Sequence, residues 1–100
     1  MRYRLRIAAD VWIQAGAIDA WWRANRAASP TLFREELEAA LERLEQAPFA
    51  SAIYGHEGQP STLRRLLLPR CRYFVYFEIE DEEVSVLAVW HASRGTGPAL

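Results

Sequence analysis

The sequence predicts an α+β domain of element order β-α-α-β-β-β, with a helical hairpin packed on one face of a small, twisted, largely antiparallel sheet. Three observations carry this. Residues 2–7 alternate arginine with Tyr3, Leu5 and Ile7, the period of a half-buried strand. Two stretches, opening at Asp10 and at Ser29, then repeat apolar residues at helical spacing. Residues 62–91 return to strand patterning in three runs. The chain has 100 residues and is 51% hydrophobic, enough for one core, so residues 1–100 read as a single domain.

In the first strand the arginines Arg2, Arg4 and Arg6 take the wet face. Asp10 is the expected N-cap of the first helix. Ile13, Ala17, Ala20, Trp21 and Ala24 form its expected core stripe, and Val11, Ile18 and Trp22 form a second apolar stripe beside it. One helix on a small sheet rarely needs both, so Trp12 and Trp22 are candidate partner-surface residues. Ser29 at N-cap with Pro30 at N1 predicts the second helix start. Phe33, Leu37, Ala40, Leu41 and Leu44 follow on one face, and Pro48 ends the helix. The short break at 26–29 makes the two helices an antiparallel hairpin.

Residues 48–61 are the only long irregular stretch and hold His56 beside Glu57. Residues 62–68, 71–79 and 84–91 are the remaining strands. In the second of these, Cys71, Tyr73, Val75, Phe77 and Ile79 share one face, with Phe74 and Tyr76 on the other. Glu80–Glu83 makes the hairpin between the last two strands, and apolar residues on both faces place those strands centrally in the sheet.

Net charge is −1, and all twelve basic residues are arginine. That excludes a strongly basic nucleic-acid binder held by counterion release, as well as any lysine chemistry. One cysteine and two histidines give neither a disulfide framework nor a usual structural zinc site, so no metal or cofactor is expected. No apolar run is long enough to span a membrane and no leader pattern is visible, which reads as a cytoplasmic protein.

The segments Trp21–Arg26, Ala27–Pro30, Leu32-Phe33 and Glu35–Leu37 resemble the helical hairpin of RelE/ParE-type toxins. Leu63–Leu68 is similar to their second strand and Arg72–Phe77 to their third. Val84–His91 followed by Ala92–Gly95 is similar to their closing strand, with its His-x-x-Arg pattern at His91 and Arg94. The resemblance implies a small bacterial cytoplasmic toxin of a type II toxin–antitoxin system. It would act in growth inhibition and plasmid stabilisation, held silent by a cognate antitoxin, with self-association into a homodimer or a larger toxin–antitoxin assembly open. Two activities share this fold, and fold alone does not choose between them.

RelE-like members cleave mRNA on the ribosome; ParE-like members bind and poison DNA gyrase without being enzymes. On the nuclease reading His91 is the acid or base, with Arg65 and Arg94 as phosphate clamps and Glu57 a further candidate base. On the gyrase reading Arg65, Arg72, His91 and Arg94 orient a protein-binding surface that Trp12 and Trp22 extend. The missing lysines, the absence of tyrosine after Tyr76 and the near-neutral charge favour protein contact over ribosome docking. A third reading is a remnant that binds only its antitoxin.

Overall fold

A computed structural model describes residues 2–55 and 62–93. β1 (Arg4–Ile7) leads into α1 (Ala9–Asn25) and α2 (Leu32–Gln46). A 3-10 turn (Pro48–Ala50) and a short β2 (Ala52–Ile53) follow, then β3 (Leu63–Leu68), β4 (Tyr73–Glu80) and β5 (Glu83–His91). The strands form one sheet in the order β1-β5-β4-β3-β2. All neighbours are antiparallel except β1 and β5, which run parallel. The α+β architecture is the predicted one, and β4 and β5 are indeed central. The addition is β2, from a stretch expected to be irregular: Ala52 pairs with Arg65 and Ile53 with Arg64. Two residues are too short to display a period.

α2 buries Phe33, Ala40 and Leu44 and half-buries Leu37 and Leu41, the predicted stripe. Its start differs. Ser29 and Pro30 belong to the reversal between the helices, where Ser29 N–H bonds the Arg26 carbonyl and Leu32 N–H bonds the Ser29 carbonyl. The helix begins at Leu32 with Thr31 at N-cap, whose hydroxyl donates to the Glu35 carboxylate at 2.7 Å. α1 likewise starts one residue before Asp10, with Ala8 at N-cap. Asp10 then lies in the first turn, where its charge still opposes the helix dipole.

The larger correction is which side of α1 faces inward. Val11 and Ala15 are buried, and Ile18 and Trp22 pack against the core. Ile13 is 73% exposed and Trp21 48%. Both stripes have helical spacing. The one that wins carries Val11, Ile18 and Trp22, which remove far more apolar area from water than the alanines at 17, 20 and 24. Beneath the helices, Leu68, Val75, Phe77, Val84, Val86 and Val89 complete the core.

The pairing of β4 with β5 slips once. Tyr76 faces Ala88 while Phe77 faces Val86, so Leu87 stands without a partner residue in the ladder, a β-bulge. The β4–β5 hairpin closes through Asp81 at φ 54°, a left-handed conformation that aspartate tolerates better than most side chains. Glu80 and Glu83 face each other across it, and Arg6 of β1 pairs with Glu83 at 3.9 Å.

Candidate functional site

Strand alternation and register sort the predicted site residues onto two faces. Arg65 sits opposite Tyr76, which is buried but is not part of the helix-side core. Its guanidinium carbon lies 4.6 Å from the Tyr54 ring centre and 4.0 Å from that of Phe74. Tyr54 meets Tyr76 edge-on at 5.2 Å, and Phe74 is 6.1 Å from Tyr76. On the face away from the helices, therefore, a guanidinium is held over two aromatic rings, each offering the negative side of its quadrupole, with Tyr76 packed against both rings.

His91 lies on the other face. Strict alternation from Val84 and Val86 would put it on Arg65's face. The bulge at Leu87 shifts the second half of β5 by one residue, so Ala88 and Trp90 turn to the face opposite the helices and Val89 and His91 to the helix side. His91 pairs with Tyr73 across the ladder, and their ring centres are 4.8 Å apart, edge to face. Ser93 N–H donates to His91 Nδ1 at 3.1 Å, and the Ser93 hydroxyl lies 2.6 Å from the same nitrogen. Nδ1 is thus the acceptor, and the neutral ring carries its proton on Nε2.

His91 opens onto a cleft of about 480 Å³ at the end of the sheet, lined also by Trp21, Trp22, Arg26, Arg70, Cys71, Arg72 and Tyr73. Arg72 occupies the left-handed region at φ 65°. The turn around it is pinned: Arg72 N–H bonds the Leu68 carbonyl and Ala92 N–H bonds the Arg72 carbonyl. The Glu36 carboxylate accepts from the backbone N–H groups of Arg70 and Cys71. Burial pushes the Cys71 thiol up to about 12, and its hydrogen bond with Glu36 adds to the rise; the thiol stays protonated and is no nucleophile near neutrality. Trp22 is the inner wall of this cleft as well as a core contact.

Trp12, 54% exposed, instead borders a separate apolar groove of about 290 Å³ between α1 and α2, with Phe33, Leu37 and Leu41 across from it. Asp19, paired with Arg23 at 3.0 Å, closes one end of that groove. Of the predicted residues, the structure brings together Arg72, His91 and Trp22, and keeps Arg65 and Trp12 apart from them and from each other. Arg94, His56 and Glu57 lie outside the described residues. The sequence reading missed the rings around Arg65, and it missed Arg26 and Arg70 in the cleft. The cue was there for the last two: each is an arginine within a few residues of an element end. Among the described residues no group of side chains is arranged to hold a metal ion, and no helix is long and apolar enough to cross a membrane.

A helical hairpin on one face of a five-stranded open sheet is the architecture this chain shares with toxins of type II toxin–antitoxin systems. The chain belongs to the ParE toxin family: the model of the ParE toxin of the type II parDE system matches residues 14–95. Among solved structures it is similar to the chromosomal ParDE toxin–antitoxin system from P. aeruginosa, with a TM-score of 0.71 at 16% identity over 92% of this chain and 98% of that one. It is also similar to the free state of an arginine double mutant of the E. coli toxin RelE, with a TM-score of 0.58 at 20% identity over 93% and 86%. No curated protein matches the sequence at a significant level.

Proposed function

We propose that this toxin inhibits growth by binding a protein target, DNA gyrase, through the sheet face around Arg65 opposite the helices, and that a cognate antitoxin neutralises it. The observation that carries this reading is the separation of Arg65 from His91 by the thickness of the sheet. An RNase would need acid, base and clustered cations converging on one phosphate, and Arg65 and His91 lie on opposite faces. A flat guanidinium set among rings suits a protein contact, because arginine and aromatics dominate binding hot spots. The antitoxin would cover the apolar groove beside Trp12. Without it, Trp12 and Ile13 would stay exposed, which favours self-association of the free toxin.

The mRNA endonuclease reading has one observation in its favour: His91 shares its cleft with Arg70 and Arg72. Inducing the chain alone while following supercoiling and mRNA integrity together separates the two. Lost supercoiling or double-strand breaks with intact mRNA is the outcome of the gyrase reading. Rapid ribosome-dependent mRNA cleavage, abolished by His91→Ala in a protein that still folds, is the outcome of the other.

A further inference from the structure

We infer that the cleft at the end of the sheet binds a nucleotide unit, its phosphate on Arg26, Arg70 and Arg72 and its base against Trp21 and Trp22. This site is distinct from the Arg65 face and does not rest on the target proposed above.

The first ground is unanswered charge. Four arginines meet carboxylates, Arg2 with Glu45, Arg6 with Glu83, Arg23 with Asp19 and Arg34 with Glu38, and the arginines without such a pair among the described residues gather most closely in one place, the end cleft. Arg26, Arg70 and Arg72 line one cleft and none forms an ion pair among the described residues. The Glu36 carboxylate is turned onto the backbone amides of Arg70 and Cys71. In a chain of net charge −1, three arginines lining one cleft without an ion pair among the described residues are a local feature that a dianion would relieve. Arginine forks match phosphate oxygens in pairs.

The second ground is strain. A non-glycine residue in the left-handed region is disfavoured, and Arg72 is held there by hydrogen bonds on both sides of its peptide unit. Glycine would suit the turn better; arginine keeps a guanidinium at the cleft. Strain of this kind, over-determined by its surroundings, collects at ligand sites.

The third ground is the walls. Arg26 lies 5.2 Å from the Trp21 ring centre and 5.8 Å from that of Trp22, so cation and π-faces are already arranged together. Such faces take a base without regard to its identity. The volume, about 480 Å³, falls in the range of small-ligand sites, roughly 300–1,000 Å³. His91, with its proton on Nε2 in the neutral ring, lines the same cleft as a further donor.

The test is a calorimetric titration of the full chain with ADP, with a 5′-phosphorylated single-stranded oligothymidylate, with inorganic phosphate and with an acidic peptide. Saturable binding of ADP is expected if the unit is a free nucleotide, and tighter binding of the oligonucleotide if it belongs to a strand. Either should weaken by about tenfold or more in Arg70→Ala and in Arg72→Gly, the loss of one charge-assisted contact. The urea midpoint of Arg72→Gly should not fall, which separates lost binding from lost fold. The inference is wrong if the acidic peptide binds and the nucleotides do not. It is equally wrong if inorganic phosphate binds as tightly as ADP, or if both arginine variants bind as the parent does.

Discussion

The two faces of this sheet bury their residues by different means. On the helix side Val75, Phe77, Val84 and Val86 are covered by α1 and α2, and ordinary aliphatic packing removes them from water. On the other side Tyr76 and Ala88 are equally buried, and among the described residues the rings packed on Tyr76 are Tyr54 and Phe74, with Arg65 across them. The first face is built to stay shut. The second keeps half-exposed arginine and aromatic groups in fixed positions, which lowers the entropy lost when a partner docks.

That contrast can be broken most forcefully at adjacent positions of β4. Phe77→Ala should cost about 3–5 kcal/mol in urea unfolding, because its cavity lies under two helices and relaxes little. Tyr76→Ala should cost less, since the space it leaves is bordered by mobile-ended side chains that can close over it. Equal costs would make the face opposite the helices a second core rather than a presented surface. At the next level, Arg65→Ala should lose about 1–2 kcal/mol from its two ring contacts and abolish toxicity. Arg65→Lys should restore part of the stability but little toxicity, because an ammonium cannot stack flat between rings. Toxicity is read by plating after induction.

Arg72→Gly sharpens the comparison from the far end of the sheet. It should stabilise the fold by about 1 kcal/mol through relief of the left-handed arginine, a gain visible as a higher unfolding midpoint. The smallest effect is a pH slope. The Cys71 thiol, ordinarily near 9.0, is raised to about 12 in the folded chain. Between those pH values the unfolded chain has released a proton that the folded one keeps, so this group's contribution is complete below pH 9 and declines as pH rises. Stability measured from pH 8 to pH 11 should therefore fall less steeply in Cys71→Val than in the parent.

Sequence patterning reveals much of this and stops at identifiable points. The stripe of α2 is legible because charged residues flank it on every other side. α1 is apolar almost all round, so the period alone could not choose between Val11–Ile18–Trp22 and Ile13–Ala17–Ala24; buried area chose. The faces of β4 are legible from Tyr73 to Ile79. Those of β5 are not, because nothing in Val84–His91 announces a bulge at Leu87, and that one residue decides whether His91 joins Arg65. The end cleft was hidden for a related reason: Arg26, Arg70 and His91 come from three separate element ends, and only the closed sheet brings them together.

The central claim is that the sheet face around Arg65 opposite the helices acts on a protein target. It is tested most directly by a supercoiling assay with purified gyrase and the parent chain, Arg65→Ala and His91→Ala side by side. Inhibition by the parent and by His91→Ala, lost in Arg65→Ala whose urea transition remains cooperative, is the predicted result. Full inhibition by Arg65→Ala, or none by the parent while it cleaves ribosome-bound mRNA, would contradict it.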